Sequence, residues 1–279
     1  MYLQKYKKNN YSQFGEDGIL DEILERLGKK ISLNRWCVEF GAWDGISCSN
    51  TCNLIRHKNY KGILIESDRK KYQELLKNHP QKNVIKINKK IDITGHNKLD
   101  NILSATSIPL NYDFLSIDID GMDYHIFSGI DVYKPKIICI EFNPSIPIDV
   151  EFVQEKNFKI KHGSSALSIF NLAEKKGYKL IACTNCNLIF IDKKIIKYVL
   201  KKTPKLNSIC NQSQDNAIIF IGYDGSIISN KQKILLPWHD GYMVETEKLQ
   251  YLPKIFRIYP GDWGIIRKSL FKFYRLFLG

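Results

Sequence analysis

The chain is predicted to be an α/β protein: a mostly parallel sheet covered by helices on both faces, with one antiparallel strand in a closing hairpin. Three observations carry this prediction. Short apolar, β-compatible runs alternate five times with amphipathic segments, the pattern of a parallel sheet buried on both faces. The first run, Trp36–Phe40, breaks into Gly41-Ala42-Trp43-Asp44-Gly45, a glycine turn handing a strand over to a helix. Residues 178–182 and 188–191 are joined only by Cys183 to Asn187, and so short a loop makes the two strands antiparallel.

Taken in order, Tyr11-Ser12-Gln13-Phe14-Gly15-Glu16-Asp17 precedes a helix whose Ile19, Leu20, Ile23, Leu24 and Leu27 share one face and which ends at Gly28. Glu16 and Asp17 suit its first turn, where carboxylates offset the helix dipole. After the glycine turn, a helix from Ser49 or Asn50 to about His57 leads to a second strand, residues 62–66, closing on Glu66. A carboxylate at that tip, about 25 residues beyond Gly41, is where a βαβ nucleotide site holds ribose hydroxyls, because one carboxylate accepts from both. The same turn also reads as an ordinary strand-to-helix connection.

A helix over 70–77 and a third strand over Val84–Asn88 follow, then a polar stretch with one weak helix near Leu99. The fourth strand, 113–118, ends in Asp118-Ile119-Asp120-Gly121-Met122-Asp123, before a helix carrying Ile126, Phe127 and Ile130. The fifth, 136–143, ends in Glu141-Phe142-Asn143 and is stopped by Pro144; residues 166–176 are helical. Asp118, Glu141 and Asn143 therefore meet at the carboxyl edge of the sheet, where ligands bind. Their hard oxygens suit Mg2+ or Mn2+, which would lower the pKa of a hydroxyl nucleophile. Asp120 and Asp123 either add ligands or form a turn and a helix cap. Asp120 and His162 are the candidate proton acceptors.

The formal charge is +13, and residues 193–279 hold 15 Lys and Arg against 6 Asp and Glu. This excess either solvates the surface or draws phosphorylated substrates, an anionic membrane surface or nucleic acid. Nucleic acid is disfavoured, since the cations are not interleaved with stacking aromatics near the predicted site. No apolar run reaches about 18 residues, and the basic start lacks an apolar stretch behind it, so neither a spanning helix nor a secretory signal is expected. The protein is expected in the cytoplasm, or at the inner face of the membrane. Seven cysteines, with Cys37 and Cys139 in predicted strands, suit reduced thiols. Cys183-x-x-Cys186 and Cys48-x-x-x-Cys52 read as structural thiols, because four sulfurs do not converge for zinc.

The expected division is a domain over 1–192 and a basic extension over 193–279. The extension carries a strand over 216–221 and a loop over 236–241, and could form a lid over substrate. Residues 265–278 mix cations with large apolar side chains at nearly helical spacing. They pack on their own domain, pair with a second subunit, or lie at an anionic membrane surface.

Ser12-Gln13-Phe14-Gly15-Glu16-Asp17-Gly18, Val38-Glu39-Phe40-Gly41-Ala42-Trp43-Asp44-Gly45 with Ser49-Asn50-Thr51, residues 62–66, residues 116–121 and the hairpin together resemble class I S-adenosylmethionine-dependent methyltransferases. More narrowly they resemble the FkbM-like group, over roughly residues 11–192. The resemblance implies a Rossmann-like sheet and S-adenosylmethionine as methyl donor. It implies O-methylation of a sugar, a glycan precursor or another hydroxylated small molecule, phosphorylated or not. It places Glu39 near the methionine moiety, Gly41 and Asp44 along the cofactor, Glu66 on the ribose and Asn88 or Lys89 by the adenine. Asp118 would face the reacting end, and Ser12, Gln13 and Glu16 would approach from the N-terminal side. The trio Asp118, Glu141 and Asn143 is similar to the metal site of catechol-type O-methyltransferases. The glycine turn departs from the G-x-G-x-G spacing. A nucleic-acid methyltransferase or binding module and a catalytically silent cofactor-binding scaffold are the alternatives.

Overall fold

The computed structural model describes residues 3–210, 217–236 and 238–278. The chain forms two compact units that divide at residue 213.

The first unit is built on a seven-stranded sheet: β1 (Trp36–Phe40), β2 (Lys61–Glu66), β3 (Val84–Asn88), β4 (Phe114–Ile117), β5 (Ile137–Glu141), β6 (Tyr178–Cys183) and β7 (Asn187–Asp192). The order is β3-β2-β1-β4-β5-β7-β6. β1 to β5 pair in parallel, and β7 runs antiparallel to both β5 and β6. This is the predicted mostly parallel sheet with its antiparallel closing hairpin.

Alternation along the strands separates two apolar layers. Val38, Phe40, Ile63, Ile65, Leu115 and Ile117 face one side, against Leu99 and Leu103 of α4 (Leu99–Ser104), Ile126 and Phe127 of α5 (Asp123–Ser128) and Ile169 of α6 (Ala166–Lys175). Cys37, Leu64, Phe114 and Cys139 face the other, against Ile19, Leu20 and Ile23 of α1 (Glu16–Gly28), Leu54 and Ile55 of α2 (Cys52–His57) and Leu75 of α3 (Arg69–Asn78). Both layers exclude water, which is the main favourable term holding sheet and helices together.

The expected boundary at residue 192 is corrected. Val199 and Leu200 are buried in the second layer, while Leu206, Ile209 and Cys210 are buried in the first. The segment therefore passes around β6, the edge strand, with α7 (Leu206–Ile209) beside it, and covers an edge that would otherwise be free to pair. Cys183 and Cys210 are joined by a disulfide across Cα atoms 5.4 Å apart, which corrects the expectation that Cys183 is a free thiol. Cys37, Cys48, Cys52, Cys139 and Cys186 are unpaired.

Among its described residues the second unit holds two hairpins, β8 (Ile219–Ile221) with β9 (Ile227–Ser229) and β10 (Lys233–Leu236) with β11 (Tyr242–Glu245), and one α-helix, α8 (Ile265–Leu278). The expected strand over 216–221 shortens to β8; its first residue, Asn216, and Pro237 of the expected loop lie outside the described residues. No helix among the described residues is long and apolar enough to cross a membrane.

Candidate functional site

From β1 the chain winds through β2 to β3 on one side and returns to β4 on the other. The switch point, and with it the crevice at which a ligand sits in such sheets, falls at the carboxyl ends of β1 and β4. Gly41 stands there at φ +74°, and a Cβ on it would come within 1.6 Å of the Asp118 carbonyl oxygen. Gly45, at φ +76°, leaves room for the His79 ring, whose Nε2 is 2.7 Å from the Gly45 carbonyl oxygen. Burial lowers the His79 pKa, so the neutral ring donates to that carbonyl. Both glycines are thus required by packing of the chain on itself.

Four of the expected cofactor residues are engaged in holding loops. The buried Glu39 carboxylate accepts from Ser49 Oγ at 2.6 Å, Asn50 N at 2.8 Å and Thr51 Oγ1 at 2.7 Å, and burial raises its pKa. It anchors the loop after the glycine turn, and this pull delays the start of α2 to Cys52. Asp44 Oδ1 accepts from the amides of Ile46 and Ser47. Partial burial works against the Asp44 charge, but these bonds outweigh it and hold the pKa below the usual carboxylate range. Glu16 ties the first turn of α1 to the hairpin, accepting from Phe14 N at 2.8 Å, Thr184 Oγ1 at 2.5 Å and Asn187 Nδ2 at 3.0 Å. Asn88 donates to the Glu66 carbonyl oxygen at 2.8 Å, fastening β3 to the tip of β2. Gln13 is exposed, and Asp17 accepts from the consecutive amides of Asn10, Tyr11 and Ser12.

Glu66 ends β2 as predicted, one register step beyond the Phe40–Ile65 pair. Its carboxylate accepts from Trp43 N at 2.8 Å and Asp68 N at 2.6 Å. Ser67 Oγ adds a third, longer bond at 3.4 Å, so of the about four acceptor positions of a carboxylate one remains for a ligand.

At the tips of β4 and β5, oxygens of Asp118, Asp120 and Glu141 all lie within 4.8 Å of one another. Asp118 and Glu141 are hydrogen-bonded; burial first, then the neighbouring carboxylates, push Glu141 up to about 10 and Asp118 up to about 7. Asp120 is held at φ +54°, a backbone conformation that costs a non-glycine residue free energy and aims its side chain at the pair. Asp123 instead accepts from Ile119 N at 2.9 Å and Gly121 N at 2.8 Å and shapes the turn. Asn143 is engaged by its own loop. Its Oδ1 accepts twice from Ser145 and its Nδ2 donates to the His162 carbonyl oxygen at 2.6 Å, because the chain leaves strand geometry at Glu141 and the expected alternation ends there.

His162 is exposed in the loop between β5 and α6. Its amide and that of Gly163 donate to Gln154 Oε1, both at 2.8 Å. The same loop sends Lys161 Nζ to the Ile119 carbonyl oxygen at 3.1 Å and sets Phe158 under Lys90. Phe158 and Lys161, with Gly41, Ser67, Lys89 and Ile119, line a crevice of about 90 Å³ at the switch point. Small-molecule pockets run from about 300 Å³ upward, so in this arrangement the loop fills space that a nucleoside would need. Gln154, Phe158 and Lys161 were not indicated by the sequence, in which they sit scattered through a polar stretch without periodicity.

No protein-family profile matches the chain, so the FkbM-like resemblance is not confirmed, and no curated protein is a detectable relative. Solved structures do align with it. An S-adenosylmethionine-dependent methyltransferase from Aquifex aeolicus aligns over 67% of this chain and 94% of its own, at 11% identity and a TM-score of 0.38. TrmK of M. capricolum, in complex with S-adenosylhomocysteine, aligns over 61% and 67%, at 18% and 0.35. The CurJ carbon methyltransferase aligns over 68% and 57%, at 9% and 0.43. These scores are low, and the fold rests on its own strand order.

Proposed function

We propose that the chain is an S-adenosylmethionine-dependent O-methyltransferase acting on a hydroxyl of a sugar, a glycan precursor or a similarly hydroxylated small molecule. The observation that carries this reading is the distribution of carboxylates along one sheet edge. Glu66, with an acceptor position left, ends β2, and Asp118, Asp120 and Glu141 converge two strands away across the switch point. The first suits a ribose diol and the second an oxygen-seeking divalent cation.

The donor set fits both groups in chemistry. Asp118 and Glu141, crowded enough to keep a proton between them, are groups that Mg2+ or Mn2+ would displace that proton from, with Asp120 beside them as a third oxygen donor. For the cofactor, the acceptor is in place, and the loop carrying Phe158 and Lys161 must withdraw to admit it. When bound, S-adenosylmethionine supplies an electrophilic methyl group, and the cation lowers the pKa of the acceptor hydroxyl. The chain's own part is to position that hydroxyl, which supplies much of the acceleration. With Asp120 in the carboxylate trio, His162 is left to take the hydroxyl proton. Lys89, Lys90 and Lys161 around the crevice favour a phosphorylated acceptor.

The test is transfer of label from methyl-labelled S-adenosylmethionine to a panel of sugars and sugar phosphates, with Mn2+ and with chelator. The expected result is cation-dependent transfer that Asp118→Asn abolishes without lowering the melting temperature. Full transfer under chelator removes the cation from the proposal. Cofactor binding with no transfer to any acceptor favours the silent scaffold.

A further inference from the structure

The second unit presents an apolar face that its own fold leaves uncovered. In α8, Phe271 and Tyr274 pack on Phe256, with ring centroids 5.2 and 5.1 Å away, and Phe271 packs edge-on to Trp263 at 4.8 Å. The helix is fixed by that side. Ile265, Ile266, Leu270, Phe273 and Leu276 lie on the other, exposed by 85, 78, 46, 66 and 79%. At 100° per residue these five fall within an arc of about 140°. Arg267 borders it on one flank, Lys268, Lys272 and Arg275 on the other, and residues 265–278 contain no carboxylate.

We infer that α8 lies in the plane of a membrane surface rich in anionic lipid, with Ile266, Phe273 and Leu276 in the acyl boundary and the four cations at the headgroups. A helix of this length, about 21 Å, is too short to span a bilayer, and it carries the paired features of an interfacial helix: an apolar arc, broken by the small Ser269, and cationic flanks. Charge decides between occupants. A second copy of the face would bring four more cations against these four with no acid to offset them, whereas phosphatidylserine headgroups supply the missing sign. This inference is independent of the methyl-transfer proposal.

The experiment is flotation of the 279-residue chain with vesicles of phosphatidylcholine containing roughly one-third phosphatidylserine, and with phosphatidylcholine alone. The expected result is recovery with the anionic vesicles only, weakened by high salt. Ile266→Asp with Phe273→Asp should reduce it at least about tenfold with the melting temperature unchanged, since neither residue touches the aromatic cluster. A second variant, Lys268→Ser with Lys272→Ser and Arg275→Ser, should abolish the preference for anionic lipid. No flotation, equal flotation of the Asp variant, or equal binding to neutral vesicles overturns the inference. So does light scattering that shows a dimer which the Asp variant splits, because the face would then belong to a second copy.

Discussion

Asp118 and Glu141 project from the tips of two neighbouring parallel strands and share a hydrogen bond, so two carboxyl groups hold a proton between them. The sign of the consequence for stability is fixed. Glu141 is raised from 4.5 to about 10, so above its unfolded value the folded state binds more protons than the unfolded one, and stability falls as pH rises. The metal-free protein is predicted to lose thermal midpoint steadily from about pH 5 to about pH 9. Glu141→Gln should flatten most of that slope and raise the midpoint at the alkaline end. A pH-independent midpoint in the parent protein would contradict the shared proton.

A divalent cation should act on the same pair in the opposite sense. At pH 8 or so, Mn2+ is expected to raise the melting temperature by binding the folded state alone. Asp120→Asn should weaken the response about tenfold or more. Asn143→Ala should leave it intact, because that side chain is taken up by Ser145 and His162. Calorimetric titration separates these outcomes, and equal losses from both variants would return Asn143 to the ligand set.

Gly41→Ala is predicted to be among the most damaging single changes in the chain. The new Cβ meets the Asp118 carbonyl oxygen, and the backbone stands in the left-handed region. A loss of about 3 kcal/mol or more is expected, read by urea denaturation. Gly95→Ala, at φ +74° with nothing within 4 Å of the added carbon, is the control and should cost about 1 kcal/mol.

The strands and the acidic tips were legible in the sequence because they are written in local pattern. Val38 and Phe40 alternate with Cys37 and Glu39, Glu66 ends an apolar run, and five residues between two strands leave only a hairpin. What was not legible depends on contacts distant in the chain. Nothing near Glu39 says that Ser49 and Thr51 return to it, so the residue reads as a cofactor contact. Glu16 resembles an ordinary first-turn acid until Thr184 and Asn187 arrive from the hairpin. Val199 and Cys210 belong to the first unit through packing around β6, which composition does not encode. The turns at Asp224-Gly225 and Asp240-Gly241 were a readable signal for the two small hairpins, since Asp-Gly favours the required positive φ.

Phe158 is predicted to restrain entry to the crevice. Phe158→Ala removes the ring over which Lys90 sits at 3.8 Å and enlarges the space beside Gly41. If the loop must withdraw before a nucleoside enters, a larger open fraction raises apparent affinity, and about a fivefold gain for S-adenosylhomocysteine is expected. Fluorescence titration reads it, and a loss of affinity would make Phe158 a ligand contact instead.

The measurement that bears most directly on the account is calorimetric titration of S-adenosylhomocysteine into the 279-residue chain and into Glu66→Gln. Saturable one-to-one binding by the parent, weakened about tenfold or more in a folded Glu66→Gln, is the predicted result. Absence of binding at millimolar ligand, or equal binding by the two proteins, would contradict a nucleoside held at the tip of β2.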